Sequence, residues 1–212
     1  MLWSRGLLGS WSLENSTADG SGNGNNGTRH GTPPPFVAGR IGQCLSFNVA
    51  GDYVDVGGSL GTLGEMTRTA WILTNTVAAG DRAILSSYQL AGNLSAGAFF
   101  LNHMAKRLGL YWGTSYILNG STDMTTGTWY HVGAVRAGSS GNWTAKLFLQ
   151  GRLDGSTTTA VNPTASGPTS IGRTGDYPGE YFDGLIDEVH IWNRALPESD
   201  IRRVMMGLHP IS

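Results

Sequence analysis

The segment that decides the fold is Leu185-Ile186-Asp187-Glu188-Val189-His190-Ile191-Trp192, close to the carboxyl end of the chain. A polar residue separates Val189 from Ile191, and this alternation is typical of a β-strand with one buried face. Counting by twos places Asp187 on the same face as Val189 and Ile191, so its carboxylate is expected to point into the core. An ionised carboxylate is costly there unless a cation or hydrogen-bond donors surround it. The segment therefore predicts a core strand that carries one polar group in need of a partner.

Short apolar segments recur along the rest of the chain, separated by turn-forming residues, and 32 of the 212 residues are glycine. This pattern predicts an antiparallel all-β protein, and its length suits a single domain over residues 1–212. The other predicted strands are Leu7–Leu13, Cys44–Phe47, Tyr53–Val56, Arg68–Thr74, Ala83–Tyr88, Ala98–Asn102, Arg107–Trp112, Trp129–Arg136, Ala145–Leu149 and Thr169–Ile171.

Two further segments differ from this pattern. Residues 197–206 begin with proline, carry acidic residues early and arginines later, and predict one short C-terminal helix that ends at Gly207. The stretch Gly151–Gly167 is rich in Thr, Ser and Ala and predicts a loop with one edge strand at most.

Charge and cysteine content exclude several classes of protein. The formal net charge is −1 and the basic residues are scattered, so a nucleic-acid partner is not expected. No apolar run approaches the roughly 20 residues that cross a bilayer. Cys44 is the single cysteine, so no disulfide can form within the chain. We expect Cys44 to be buried and to pack as a small hydrophobic residue.

Eight segments carry a further signal when they are taken in chain order: Gly9–Glu14, Asp19–Thr28, Leu45–Phe47, Gly51–Val56, Thr69–Ile72, Gly127–Val132, Leu147–Gly151 and Phe182–Leu196. Together they resemble the laminin-G-like domains of the concanavalin A-like lectin and glucanase family. The resemblance implies a two-sheet antiparallel jelly-roll sandwich from about Leu7 to Gly207, a fold shared with legume lectins, pentraxins and laminarinase-type glycoside hydrolases.

A calcium ion is the expected cofactor. Calcium takes six to eight oxygen ligands in irregular geometry, and the resemblance implies an ion that joins the loop after the first strand to the last strand. The expected ligands are Asp19, Asn23, Thr28 and Asp187. The alternative is that Asp19 forms an Asx-turn while Asp187 pairs with an arginine or with backbone amides. Zinc is not expected, because the five histidines show no ligand spacing.

Catalysis is not expected. Laminarinase-type relatives use two carboxylates on one strand, about 5–5.5 Å apart in retaining enzymes. Asp183 and Asp187 are four residues apart, but Asp183-Gly184 predicts a turn and Asp187 is assigned to the metal. The chain has no Gly-x-Ser-x-Gly elbow and no histidine that can be placed beside a nucleophile.

Sugar-binding sites combine aromatic faces with fixed polar groups. The candidates at the rim of the sandwich are Asp81, Arg82, Trp112, Tyr116, Tyr177 and Tyr181. Trp112 and Tyr181 are the first choices for stacking, because each neighbours a glycine or a turn. The alternative for each ring is that it caps an end of the core.

Two classes of function follow from these patterns. The first is a lectin-like module that binds a glycan or surface polysaccharide in an extracellular or cell-surface setting. The second is a decoration or attachment protein on the virion surface of a bacteriophage, with other virion or cell-surface proteins as partners. The amino-terminal residues 1–9 do not resemble a signal peptide, which is compatible with a leader removed earlier or with assembly into a virion.

Overall fold

A computed structural model describes residues 5–77, 81–92, 94–102, 106–164, 167–177 and 179–212. It contains fifteen strands and one helix within those residues. In chain order they are β1 (Leu7–Trp11), β2 (Thr28–His30), β3 (Phe36–Ala38), β4 (Gln43–Phe47), β5 (Tyr53–Asp55), β6 (Met66–Thr74), β7 (Arg82–Gln89), β8 (Leu94–Asn102), β9 (Arg107–Trp112), β10 (Ser115–Asn119), β11 (Trp129–Ser139), β12 (Asn142–Leu149), β13 (Arg152–Thr159), β14 (Thr169–Ile171), β15 (Gly184–Trp192) and α1 (Glu198–Met205).

The strands form two antiparallel sheets, which confirms the predicted jelly-roll sandwich. The first sheet has eight strands in the order β13-β12-β11-β6-β15-β4-β3, with β1 added on β15. The second has seven, in the order β10-β9-β8-β7-β14-β5-β2. The chain passes from one sheet to the other on either side of β2, of β5 and of β14, between β6 and β7, and between β10 and β11. These crossovers bring strands distant in sequence together, so the sandwich depends on long-range pairing.

The inner faces of the two sheets enclose the main core. Trp11, Ile72 and Trp112 are fully buried there, together with aliphatic side chains of both sheets. A second cluster lies on the outer face of the first sheet, where Ile201 of α1 packs with Phe148. The predicted helix is therefore confirmed, and it covers one face of the sandwich.

Strand β15 departs from simple alternation at Asp187. The pairing of β15 with β6 shifts register between Asp187 and His190, and Glu188 takes a φ of 47°. Ile186, Val189 and Ile191 all belong to the main core. The expectation that Asp187 shares a face with Val189 and Ile191 is wrong, because this bulge places Asp187 beside Trp71 on the outer face of the first sheet.

Four strands lie outside the predicted set. β2 and β3 are three residues each, β10 follows directly after β9, and β13 occupies eight residues of the stretch predicted as a loop with at most one edge strand. These strands lie at or near the edges of their sheets, where polar residues are tolerated and hydrophobic alternation is weak.

A buried arginine links the two sheets. Arg68 of β6 has a 1% exposed side chain, and its Nη1 donates to the carbonyl oxygens of Leu85 at 3.1 Å and Gly97 at 2.5 Å. Its Nη2 donates to the Ser87 hydroxyl at 2.7 Å. Burial lowers the pKa of Arg68 to about 9, and the nearby Arg136 guanidinium acts in the same direction. Arg68 therefore stays protonated at neutral pH while it ties β6 to β7 and β8.

Replacing this arginine tests the link between the sheets. Arg68→Ala should lower the free energy of unfolding by about 3–5 kcal/mol, because it opens a cavity and leaves buried acceptors without a donor. Urea denaturation followed by tryptophan fluorescence measures the change. The control is Arg107→Ala, since Arg107 pairs with the exposed Asp123 at 2.6 Å and such surface pairs contribute less than about 1 kcal/mol. Equal urea midpoints for Arg68→Ala and the wild type would contradict the role of Arg68.

Candidate functional site

The outer face of the second sheet carries a line of tyrosines. In β9, Leu108, Leu110 and Trp112 point into the main core, so the intervening Tyr111 points outward, where it packs against Ala83. Tyr116 of β10 is the register partner of Tyr111. The alternation of β9 thus places one ring on the outer face, and the pairing with β10 adds a second beside it.

Four rings make continuous edge contacts across this face. The ring centroids of Tyr111 and Tyr116 are 5.5 Å apart, and those of Tyr88 and Tyr111 are 6.4 Å apart. Tyr177, from the loop after β14, lies 6.2 Å from Tyr88. All three pairs are T-shaped, an arrangement that aromatic rings favour. We call Tyr88, Tyr111, Tyr116 and Tyr177 the tyrosine face.

The exposure of these rings differs and suggests different roles. Tyr116 is 58% exposed and Tyr177 is 36% exposed, whereas Tyr88 is only 8% exposed. The two exposed rings offer apolar area to a ligand. Tyr88 and Tyr111 support them from within the sheet.

Carboxylates lie beside the tyrosine face. The Tyr116 hydroxyl donates to Asp81 Oδ2, and Glu180 Oε2 accepts from Thr174 Oγ1 at 2.6 Å. Asp176 Oδ1 accepts from the backbone N–H of Leu90 at 2.5 Å. Burial, the hydrogen bond to Asp81 and the charge of Asp81 raise the pKa of Tyr116. Tyr116 therefore remains a neutral hydrogen-bond donor whose hydroxyl orients Asp81.

The structure brings together part of the predicted ligand set. Asp81, Tyr116 and Tyr177 meet on this face, and Arg82 follows Asp81 at the start of β7. Tyr181 is half-buried next to Glu180 and makes no ring contact within the described part of the chain.

The expectation for Trp112 is corrected. Its side chain is 0% exposed and belongs to the main core, and its Nε1 donates to the carbonyl oxygen of Val161 at 2.8 Å. The Arg136 guanidinium lies 5.3 Å from the Trp112 ring centroid. Because β9 alternates strictly, Trp112 follows Leu110 into the core, and its ring has no free face for a ligand.

Tyr88 and Tyr111 were absent from the predicted set. The signal for Tyr111 was present, since alternation in Arg107–Trp112 puts it opposite Leu110. Alternation is a weaker guide for Tyr88. The adjacent residues Ile84 and Leu85 both lie in the core, so counting by twos along β7 does not say which face Tyr88 occupies. The register shift between Ala83 and Leu85 explains how both of them reach the core.

The predicted metal ligands of the first loop are held by hydrogen bonds. Asp19 Oδ1 accepts from the backbone N–H of Ser10 at 3.0 Å and of Ser21 at 2.9 Å. Asp19 Oδ2 accepts from the Ser21 hydroxyl at 2.7 Å and the Asn25 N–H at 3.0 Å. Burial alone would raise the pKa of Asp19, but these bonds hold it below its ordinary value. Asn23 donates through Nδ2 to the carbonyl oxygen of Leu7 at 2.8 Å.

Asp187 lies against a different segment. Its Oδ2 accepts from the backbone N–H groups of Arg40 at 2.9 Å and Ile41 at 3.0 Å. Burial raises the pKa of Asp187 to about 6, and the hydrogen bonds to Ile41 and Arg40 oppose this. Its Oδ1 is buried and has no hydrogen-bond partner among the described residues.

These contacts describe what a cation would meet. The Asp187 Oδ1 atom suits a cation, because it has no hydrogen-bond donor among the described residues. An ion at Asp19 would have to displace the four N–H and O–H groups that donate to its carboxylate. Thr28 is exposed at the start of β2. Among the described residues, no group of three or more His, Cys, Asp or Glu side chains could hold a metal ion. The calcium site stays a prediction.

Comparison with known proteins assigns the family. The sequence profile of the concanavalin A-like lectin/glucanases superfamily matches residues 48–202, and the chain belongs to that family. The laminin-G-like resemblance is thereby confirmed. No curated protein matches the chain at a significant level of sequence similarity.

Solved structures share the fold at low sequence identity. Domain 4 of AbnA, a GH43 extracellular arabinanase from Geobacillus stearothermophilus solved in complex with arabinotriose, is 18% identical, with a TM-score of 0.74 over 93% of this chain and 97% of that domain. The binding domain of Paraclostridial Mosquitocidal Protein 1 is 15% identical, with a TM-score of 0.69 over 92% of this chain. The binding domain of botulinum neurotoxin serotype D is 15% identical, with a TM-score of 0.69 over 96% of this chain. This chain spans 51% and 52% of those two toxin domains.

Proposed function

We propose that this chain is a non-catalytic carbohydrate-binding module whose ligand lies on the tyrosine face. The observation that carries the proposal is the line of four tyrosines, with Asp81 and Glu180 beside it, on the outer face of the second sheet. Aromatic rings stack on the apolar C–H faces of sugars, and fixed carboxylates accept hydrogen bonds from sugar hydroxyls.

The spacing of the rings favours an oligosaccharide over a single sugar. Tyr116 and Tyr177 are the exposed rings, and Tyr111 and Tyr88 lie between them in the line of contacts. A ligand that reaches both exposed rings must therefore be longer than one pyranose or furanose ring. The arabinotriose complex of the similar arabinanase domain supports a neutral oligosaccharide as the first probe.

Three carboxylates beside the tyrosine face support a role in recognition. Asp81 accepts from Tyr116, Asp176 from the Leu90 backbone and Glu180 from Thr174. Each is held in position by a protein donor, which suits an acceptor that reads hydroxyl groups. A binding role of this kind fits an extracellular or cell-surface setting, as in the toxin binding domains and the extracellular arabinanase. No described helix is long and apolar enough to cross a membrane.

The proposal predicts a loss of glycan binding when an exposed ring is removed. Tyr116→Ala should weaken binding by about 1–3 kcal/mol, because one stacking ring and the donor that orients Asp81 are lost together. Calorimetric titration with arabinotriose, and then with the strongest binders of a glycan array, measures the change. Tyr116→Phe keeps the ring and should retain most of the affinity.

Leu153→Ala is the matched control for this experiment, because Leu153 is similarly exposed at 50% but lies in β13 of the first sheet. It should bind like the wild type. Unchanged affinity in Tyr116→Ala would exclude the tyrosine face as the binding site. A wild-type protein that binds no glycan on the array would favour the alternative role as a decoration or attachment protein on a bacteriophage particle.

We further propose a structural calcium ion, as the family implies. Asp187 would bind it through the free Oδ1 atom, and Asp19, Asn23 and Thr28 would supply oxygen ligands from the first loop if that loop rearranged. When bound, the ion would supply positive charge that compensates a buried carboxylate and join this loop to β15.

Removing calcium tests this proposal. A chelator should lower the melting temperature by several degrees, since an ion bound only by the native state stabilises it by mass action, at about 2–4 °C per kcal/mol in a chain of this size. Asp187→Asn should abolish the response. Asp123→Asn, at an exposed acidic residue, should respond like the wild type. Two results together would contradict the calcium proposal. They are a wild-type melting curve that neither chelator nor added calcium changes, and an elemental analysis that finds no metal in the protein.

A further inference from the structure

A second cluster on the outer face of the second sheet contains a stacked arginine. Tyr53 of β5 alternates with the core residue Val54, so its ring lies on the outer face. His30 of β2 is its register partner, and the two rings stack with centroids 4.7 Å apart and planes 11° apart. The Arg173 guanidinium carbon lies 3.7 Å from the Tyr53 ring centroid. We call His30, Tyr53 and Arg173 the arginine stack.

The Arg173 guanidinium is held against the Tyr53 ring but makes no polar contact with the residues that the structure describes. Within the described part of the chain its N–H groups have no hydrogen-bond acceptor and no ion-pair partner, and its Nε is buried. Arg29, one residue before His30, is the useful contrast. It also stacks on a ring, with its guanidinium carbon 4.7 Å from the Phe36 centroid, but its Nη1 donates to the carbonyl oxygen of Pro34 at 2.8 Å. Arg173 therefore presents an oriented cation with unused donors.

The guanidinium of Arg173 is suited to a carboxylate ligand. A guanidinium offers N–H donors in a planar fork that matches the two oxygens of a carboxylate, and stacking on Tyr53 holds the fork in one plane. Asp55 lies on the same face of β5 as Tyr53, and its Oδ1 accepts from the Gly57 N–H at 2.9 Å. An external carboxylate would complete the arginine stack.

The location of the stack connects it to the tyrosine face. Arg173 and Tyr177 belong to the same loop after β14, in which the Tyr177 N–H donates to the Thr174 carbonyl oxygen at 2.8 Å. Tyr177 faces Tyr88 on one side of that loop, while Arg173 contacts Tyr53 on the other. One loop thus carries a ring of the first site and the cation of the second.

We propose that the arginine stack is a subsite for a sugar that carries a carboxylate, such as a uronic or sialic acid residue. The proposal rests on the proposed function only in taking the ligand to be a glycan. A carboxylate on a peptide has the same charge and geometry, so the experiment must separate the two sources.

Titration with matched small molecules tests the subsite. The probes are the methyl glycoside of glucuronic acid, the methyl glycoside of N-acetylneuraminic acid, the methyl ester of each, and N-acetylglutamate amide as the peptide carboxylate. Chemical-shift changes in nitrogen-15 spectra of the whole chain report the binding. At least one acidic sugar should bind at millimolar concentration, and its ester should bind about tenfold or more weakly, since the ester removes the charge-assisted hydrogen bonds.

Variants locate the interaction. Arg173→Gln should abolish binding of the acidic sugar, and Arg173→Lys should weaken it, because lysine keeps the charge but lacks the fork. Arg29→Gln is the matched control and should bind like the wild type. Arabinotriose serves as the neutral ligand, and Arg173→Gln should bind it with the affinity of the wild type. Loss of acidic-sugar binding at the arginine stack can therefore be distinguished from loss of glycan binding on the tyrosine face.

Four results would overturn the proposal. They are equal binding of acid and ester, equal binding of the peptide carboxylate and the acidic sugar, unchanged binding in Arg173→Gln, and no binding of either acidic sugar to the wild type.

Discussion

The guanidinium of Arg68 is the contact on which the arrangement of the two sheets depends most directly. The sheets meet through apolar side chains, and such packing is non-directional. Arg68 adds directional bonds from β6 of the first sheet to Leu85 and Ser87 of β7 and to Gly97 of β8. A buried charge is costly unless hydrogen-bond acceptors surround it, and three acceptors hold the Nη1 and Nη2 groups of Arg68, so the three strands must keep their spacing. The inner side of β7 is fixed in this way, and its outer side carries Tyr88 of the tyrosine face.

The proposed site lies on the outer face of the second sheet, whereas the outer face of the first sheet is packed against other parts of the chain. Helix α1 packs there through Ile201, and Asp187 is buried on the same face against the backbone N–H groups of Arg40 and Ile41. On the second sheet, one loop after β14 lies over the face and leaves aromatic residues on either side. The same sandwich occurs in an arabinanase domain and in toxin binding domains at 18% identity or less. The fold therefore leaves specificity to outer-face and loop residues.

Hydrophobic alternation predicted most of this fold and part of its site. The strands with regular alternation, such as Arg107–Trp112, were assigned correctly, and the same alternation would have shown that Trp112 is a core residue while Tyr111 is not. The orientation of Asp187 could not be read by counting, since a bulge at Glu188 changes the parity within a single strand. The stack of Tyr53 with Arg173 was equally out of reach, because it joins residues 120 positions apart, one on β5 and one in the loop after β14, which only the sheet order brings together.

The central claim is that a glycan binds on the outer face of the second sheet. The most direct test is hydrogen–deuterium exchange of the protein, measured with and without the strongest-binding glycan. Bound ligand should slow exchange of backbone amides in residues 81–89, 107–119 and 172–177, which carry the four tyrosines together with Asp81 and Asp176. Exchange in β12, β13 and α1 should not change, since these elements lie in the first sheet or on its outer face. Protection confined to those elements, with none on the second sheet, would contradict the account.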